Sequence, residues 1–256
     1  MNGEVGARVE VRSISKIFRR SRQVTQALAS VDLCVEPGEF ICLLGPSGCG
    51  KSTLLHIVAG FIAPDAGEVR VDGIAKTGPG ADRCMLFQAP TLFPWLTTID
   101  NVLFGLRARG AITSESRRQA GELLELVGLG SFGGHYPHQL SGGMRHRAAL
   151  ARALINRPRV LLMDEPFAAL DAITREAMQN FLLGLWGRER TTIIFVTHDV
   201  EEAALLSDRV CVMSGRPGRI IATEEIALGR PRDEVLRDTA EFVSLRRKLR
   251  ERLADA

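Results

Sequence analysis

Gly45-Pro46-Ser47-Gly48-Cys49-Gly50-Lys51-Ser52-Thr53 stands between a short apolar run, Phe40-Ile41-Cys42-Leu43-Leu44, and a helical stretch, Leu54-Leu55-His56-Ile57-Val58-Ala59. The spacing is G-x-x-x-x-G-K-[ST] in a strand–loop–helix setting, the pattern of a phosphate-binding loop. Glycines without Cβ atoms let the backbone fold around a phosphate so that several N–H groups point inward. The helix N-terminus adds partial positive charge at the same place. Lys51 supplies a full charge to β and γ phosphates, and the Ser52 hydroxyl suits a Mg²⁺ ion. A glycine-rich turn that merely precedes a helix is the alternative reading, and the strand before the loop speaks against it.

Around this loop the chain is ordinary. It has 256 residues, 45% hydrophobic and 25% charged, enough for a sizeable core in one large or two small domains. The longest stretch without Asp, Glu, Lys or Arg, Leu126–Met144, holds six glycines and a proline and is no membrane span. Met1-Asn2-Gly3-Glu4 lacks the basic start and apolar core of a secretory signal, so the chain is expected in the cytosol unless a partner holds it at a membrane. A formal net charge of +3 gives no argument for nucleic acid. The densest basic cluster, Arg246, Arg247, Lys248, Arg250 and Arg252, interleaves with Leu245, Leu249 and Leu253. It reads as an amphipathic helix with either a solvated polar face or a contact to anionic lipid. Cys34, Cys42, Cys49, Cys84 and Cys211 are odd in number without C-x-x-C pairing, against a disulfide framework or zinc site. Cys34 and Cys42 read as core residues, and Cys49, inside the loop, as a thiol whose alkylation would disturb nucleotide binding.

Strand-like and turn-like pieces alternate over the first ~95 residues. Val9-Glu10-Val11 and Ala29-Ser30-Val31-Asp32-Leu33 read as antiparallel strands, with polar 19–26 as a loop between them. Gly67–Gly73 reads as a strand closed by an Asp-Gly turn, and Cys84–Phe87 as a strand ending at Gln88. From Thr98 to about Asn156 the pattern is mostly helical, with Asp100 capping Val102–Arg109 and Ser114 opening a helix through Val127. Val160–Met163 and Thr192–Val196 are strands apolar on both faces, separated by a helix over Ala172–Trp186, which implies a buried parallel sheet. The fold class expected is thus α/β: a phosphate-loop core with a parallel sheet, an N-terminal antiparallel β layer and an inserted α-helical subdomain.

Asp164-Glu165 closes the first of those strands at its C-terminal end, where ligands of open α/β sheets gather. Asp164 suits a Mg²⁺ contact and Glu165 a general base for an attacking water, the alternative being an exposed acidic turn. His198, ending the next strand, either bonds the γ-phosphate or the water and orients Glu165, or caps the helix that starts near Val200. His56, His135, His138 and His146 show no metal-ligand spacing. Ser141-Gly142-Gly143, before the Arg- and Ala-rich helix Arg145–Leu154, makes a second anion-binding helix start. One phosphate loop has no need of another on the same nucleotide, and the surplus points to a partner's nucleotide.

With these motifs in this order, the chain resembles the ATP-binding subunits of ABC transporters over about Val9 to Arg232. The resemblance rests on the loop 45–53, the signature Leu140-Ser141-Gly142-Gly143-Met144, Asp164-Glu165 and His198. Gln88 falls at the Q-loop glutamine, Ala169-Leu170-Asp171 at the D-loop, and Phe18 at the aromatic that stacks on adenine. It implies an ATP-binding domain over 1–232, with a helical subdomain at about 98–156 and an amphipathic tail at 233–256. It further implies an ATPase in a head-to-tail dimer that traps two ATP, each with Mg²⁺ held by Ser52, Gln88 and Asp164. Each ATP would lie between one subunit's loop and the other's Ser141 and Gly143. The implied partners are a second ATPase subunit, two transmembrane permease subunits and, indirectly, an extracytoplasmic binding protein, without nucleic acid. The implied place is the cytoplasmic face of the inner membrane, peripherally bound.

Thr77–Arg83, Leu92-Phe93-Pro94-Trp95-Leu96, Tyr136–Leu140, Thr174-Arg175-Glu176 and Arg216-Pro217-Gly218-Arg219 resemble the nitrate/sulfonate/taurine branch. His146 stands where that family has glutamine after the signature arginine, and Ala168 where it has a glycine before the D-loop. The ~24 residues after Arg232 are too short for the regulatory domain of sugar-importer ATPases. A soluble, non-transport ABC-type ATPase is the rival reading. The short insertion speaks against its DNA-repair members, and the single phosphate loop against its translation members. A phosphate-loop kinase would lack the signature.

Overall fold

The computed structural model describes residues 6–20, 23–232 and 234–256. The remaining residues lie outside the description. With them go the N-terminal reading at Met1–Glu4, the middle of the expected 19–26 loop and the first residue of the 233–256 segment.

Strands β1 (Val9–Arg20), β2 (Gln23–Val35) and β3 (Phe40–Leu44) lead into helix α1 (Lys51–Ala59). Then come β4 (Ala66–Val71), β5 (Ile74–Ala75), β6 (Arg83–Leu86) and the helices α2 (Thr98–Ala108), α3 (Ser114–Leu126) and α4 (Gly142–Leu154). The chain ends with β7 (Val160–Asp164), α5 (Ala172–Glu189), β8 (Thr192–Thr197), α6 (Val200–Leu206), β9 (Arg209–Met213), β10 (Ile220–Glu225) and α7 (Ala240–Ala254). Two sheets form, one ordered β2-β1-β4-β5 and antiparallel, the other β10-β9-β3-β8-β7-β6. In the second, β9, β3, β8, β7 and β6 run parallel and only β10 is antiparallel.

β3, β7 and β8 are buried at every position, as their unbroken apolar runs require. Side chains alternate between faces with a period of two, and the core divides accordingly. Phe40, Cys42, Leu44, Leu161, Met163, Ile193 and Phe195 pack against α4, α5, α6 and α7. Ile41, Leu43, Val160, Leu162, Ile194 and Val196 pack against α1 and the antiparallel sheet. α7 is seated by fully buried Phe242 and Leu249. Its basic face meets acids of the body: Lys248 and Arg252 pair with Glu224, and Arg246 with Glu201. A third cluster, Val102, Leu103, Ala120, Leu124, Ala148, Ala151 and Ile155, binds α2, α3 and one side of α4 into a helical arm.

Local readings change in four places. Cys34, read as a core residue, is only half-buried and accepts a hydrogen bond from Arg8 at 3.3 Å, because it faces the polar side of β2. The β1–β2 hairpin stays paired out to Arg20↔Gln23, so 19–20 and 23–26 are strand rather than loop. These outer residues project beyond the core, so no apolar face marks them in sequence. The cap of α2 is Thr97, whose hydroxyl accepts the Asp100 N–H, while Asp100 sits in the first turn and accepts the Thr97 hydroxyl at 2.7 Å. Cys49 is 1% exposed and packs into the core under the loop, which shields its thiol from alkylation.

Candidate functional site

β3, β8 and β7 lie side by side and end together, so their C-terminal residues share one rim. The chain leaves β3 as the glycine loop, β7 as Asp164-Glu165 and β8 as Thr197-His198. Above this rim opens a cleft of about 550 Å³ lined by Phe18, Thr25, Ala27, Ser47, Gly48, Gly50, Lys51, Ser52, Thr53, Gln88, Glu165, His198 and Arg216. Phe18 and Thr25 are cross-strand partners at the hairpin end of the cleft. Gln88, Glu165 and His198 line the same cleft with the loop. A larger cavity, about 690 Å³ beside Trp186, Arg230 and Pro231, contains none of the motif residues.

Gly48 and Gly50 adopt φ of +78° and +111°, open to glycine and strained for residues with a Cβ. The Lys51 side chain is 4% exposed in its residue as a whole and folds back on the loop, donating to Gly45 O at 2.7 Å and Pro46 O at 2.9 Å. Its ammonium is thereby held in the concavity of the loop. Ser52 Oγ donates to Asp164 Oδ1 at 2.9 Å. Burial pushes the Asp164 carboxyl up, against the Ser52 hydrogen bond and nearby His56 and Lys51, which favour its ionised form. Two hard oxygens side by side fit a Mg²⁺ ion that keeps phosphate and water oxygens as its other ligands. Among the described residues no group of three His, Cys, Asp or Glu side chains could hold a metal alone.

Glu165 leaves β7 at φ +45°, a conformation that disfavours any residue with a Cβ by about 1–2 kcal/mol. Its N–H still donates to Val196 O at 3.0 Å, so the neighbouring strand holds the turn. His198 Nδ1 lies 3.2 Å from Glu165 Oε2. The helix cap considered for His198 is provided instead by Asp199, whose carboxylate accepts the Glu201 and Glu202 N–H groups. The imidazole is left beside the carboxylate, as the strand order implies. Such a pair can hold a water against an electrophile, with Glu165 accepting its proton.

Ser141, Gly142, Gly143 and Asp171 are not among the residues lining this cleft. Ser141 caps α4 by accepting the Met144 N–H at 3.2 Å and is exposed together with Gly142. Asp171 caps α5, and the Thr174 N–H that it accepts at 3.0 Å lowers its carboxyl below the usual range. Arg216 is the residue that motif reading left without a role. Its guanidinium donates to Gly48 O at 3.0 and 3.2 Å and braces the loop from the β9–β10 turn. Only the Arg-Pro-Gly-Arg branch resemblance touched it.

Comparison with known proteins gives the family. The family model described as ABC transporter matches residues 28–168. The nitrate import ATP-binding protein NrtD of a Synechocystis species is 46% identical, over 88% of this chain and 84% of its own. The taurine import ATP-binding protein TauB of Chromobacterium violaceum is 47% identical, over 89% of each. Among solved structures, a dimeric ATP-binding cassette in a post-hydrolysis state with ADP and Pi superposes with a TM-score of 0.78. It shares 34% identity, over 86% of this chain and all of that one.

Proposed function

The chain belongs to the ABC transporter family of ATP-binding proteins and is an ATPase, and from that premise we propose that it is the subunit that drives an importer for a small nutrient of the nitrate, sulfonate or taurine type. The observation that carries the proposal is the position of the signature. A capped, exposed helix start with two glycines lies outside the chain's own nucleotide cleft, so its anion-binding capacity is free for a second copy's nucleotide. In the closed pair, Ser141 and Gly143 of each subunit would complete the site of the other, with Asp171 at the seam.

Within the cleft, Phe18 would stack on adenine, and the N–H groups of 45–53 with Lys51 would hold the phosphates. Ser52, Asp164 and Gln88 would hold Mg²⁺, which neutralises charge developing on the β and γ oxygens. Glu165 would take the proton of the attacking water, and His198 would keep both in line. Residues 1–232 would form the ATP-binding domain, with the 98–156 arm inserted and 233–256 as a helical tail. After Gln88, Phe93, Trp95 and Phe104 form an aromatic cluster with ring centroids 4.2 and 5.5 Å apart, and Trp95 is 69% exposed. That cluster suits a permease helix at the cytoplasmic face of the membrane, where two permease subunits and an external binding protein would complete the importer.

The test is Glu165→Gln. The variant is expected to bind ATP, to lose turnover and to accumulate as an ATP-bound dimer on sedimentation. A variant that hydrolyses normally as a monomer refutes the composite site. Uptake by the chain reconstituted with candidate permease subunits identifies the cargo.

A further inference from the structure

The larger cavity, about 690 Å³ beside α5, has a volume within the range of small-molecule sites. It lies at the end of the parallel sheet opposite the nucleotide cleft. Trp186, in its wall, packs its ring 6.1 Å from that of Phe40, where β3 begins, whereas the glycine loop follows Leu44, where β3 ends. Arg230, also in the wall, donates to Asp208 at 2.8 and 3.0 Å, and the other oxygen of Asp208 accepts the Phe40 N–H at 3.0 Å. Nothing in the nucleotide chemistry calls for a cavity here.

The packing of the chain leaves room in this wall and charge beside it. Gly184 and Gly187 stand three residues apart on one face of α5, and both line the cavity. Glycine inside a helix is less stable than alanine, and it usually answers a positive φ or a close neighbour. Here a Cβ on either would meet nothing within 4 Å, and neither φ is positive. The α5 wall is therefore bare main chain at these two points. Arg190, Arg230 and Arg232 supply the charge, and no Asp or Glu stands among the described residues that line the cavity. Arg232 is buried and gives its terminal nitrogens to main-chain carbonyls, including Ser207 O at 2.7 Å. Burial first, and then the like charge of Arg230, push its guanidinium down to about 10. Arg190 closes α5 at φ +51°, where glycine is favoured. Among the described residues its guanidinium makes no hydrogen bond or ion pair and lies over the Trp186 ring, 4.5 Å from the centroid.

We propose that this cavity binds a small organic anion, a sulfonate or carboxylate carried on a flat apolar body, with the anion on Arg190 and the body against Leu183, Pro231 and the bare wall at Gly184 and Gly187. Among the described residues Asp208 is the one carboxylate paired with these three arginines, and the head group supplies another. A guanidinium suits it because its fork of N–H donors matches the oxygens of either anion. The body displaces water from apolar surface that no side chain of the chain covers. Concave shape and charge favour this occupant over a second copy of the chain. In a two-fold pair joined here the arginines of one copy would meet those of the other, and like charge opposes that. The site stands apart from the composite-site reading, because no motif residue lines it.

The test titrates naphthalenesulfonate into the full chain carrying Trp95→Phe, which leaves Trp186 as the single tryptophan. The indole N–H of Trp186 is followed by proton–nitrogen spectra, with naphthalenemethanol and inorganic sulfate in parallel. A saturable shift is expected with naphthalenesulfonate. Loss of a charge-assisted hydrogen bond weakens binding about tenfold or more. The alcohol should therefore need about ten times the concentration, and Arg190→Gln should bring the sulfonate to the alcohol's level. Gly187→Leu fills the cavity and should abolish the shift without lowering the melting midpoint. If that variant does not fold, the alcohol and Arg190→Gln decide. No saturable shift, or equal affinity for sulfonate and alcohol, overturns the proposal, as does an Arg190→Gln chain that binds like the parent. Sulfate that binds as tightly as naphthalenesulfonate removes the apolar body and overturns it too. Magnesium ATP should leave the midpoint of the titration unchanged, and displacement by ATP would put the probe in the nucleotide cleft and end the proposal. A nucleotide-free dimer that Arg190→Gln dissociates would show a second copy in the cavity, and the proposal falls.

Discussion

Gly50→Ala tests how the phosphate loop is held. Gly50 is the residue before Lys51 and caps α1 at φ +111°. A Cβ placed on it would lie 2.7 Å from Leu28 Cδ2 and 2.8 Å from Ala27 O. Neither neighbour can yield easily, because Leu28 is fully buried and Ala27 O already accepts the Gly218 N–H at 2.9 Å. The backbone conformation disfavours alanine by about 1–2 kcal/mol, and the overpacking adds about 1–3 kcal/mol. Gly48→Ala is the internal control. At φ +78° it lies nearer the left-handed well and meets no larger a backbone penalty, and its nearest neighbour is Arg216 Nη2 at 3.2 Å, the far end of a flexible side chain. The two variants should therefore differ by at least the overpacking. For a chain of this size each kcal/mol moves the melting midpoint by about 2–4 °C, so Gly50→Ala should melt roughly 2–12 °C below Gly48→Ala. Calorimetric melting of both without nucleotide decides it. Equal midpoints would show that β2 does not fix the loop, and the argument from close approach would fail.

Two further outcomes follow from the same geometry. Lys51→Ala removes the one ammonium in the loop's concavity, and truncating such a buried charge partner costs about 2–5 kcal/mol, so titration calorimetry should find ATP binding weakened roughly thirtyfold or more. Unchanged affinity would remove Lys51 from the phosphate site. For Glu202→Gln the quantity to follow is a slope with pH. Burial raises the Glu202 carboxyl above its ordinary range, against the hydrogen bond from Thr197. A raised carboxyl gives stability that is full below its unfolded value, about 4.3, and is lost as pH rises through the folded value. The variant, which does not titrate, should therefore gain in melting temperature relative to the parent as pH goes from about 4 to about 8. Gln179, whose amide donates to Glu202 while accepting Arg237, imposes an offset that is the same at every pH. A flat difference would mean that Glu202 ionises as freely in the fold as outside it.

Much of the site was legible because its residues are tied to strand ends. A loop that must wrap phosphate needs glycines at fixed places, and apolar strands buried on both faces announce themselves without alternation. Asp164-Glu165 and His198 follow such strands directly, so sheet order alone brought them to one rim. The misreadings arose where position depends on distant contacts. Asp100 has cap chemistry, but Thr97 wins because its backbone is extended and its hydroxyl reaches the Asp100 N–H. The hairpin ends at 19–20 and 23–26 carry polar residues and one exposed valine, Val24, in a strand that leaves the core, so burial periodicity says nothing about them. β9 and β10 passed unread as strands. Arg216 acts through a carbonyl of a residue 168 positions away, and no local spacing encodes that.

The fate of His146 shows how one position can belong to two levels at once. α4 is buried on two sides along its C-terminal half, by the sheet at Ala149, Leu150, Ala153 and Leu154 and by the helical arm at Ala148, Ala151 and Ile155. Its first turn is exposed or half-exposed through Arg145. The helix is thus clamped at one end and offers the other to a partner. A clamp of close-packed side chains resists rotation, because any turn opens voids on both faces. Movement of the signature relative to the nucleotide cleft must then come from shifting the arm and α4 together, or from the segment that joins β6 to α2. Gln88 is the second residue of that segment, and the ring 2.9 Å from its carbonyl belongs to His146, the first buried residue of the helix. A polar contact at that boundary is directional where apolar packing can slide, so a shift of α4 carries the Gln88 carbonyl with it.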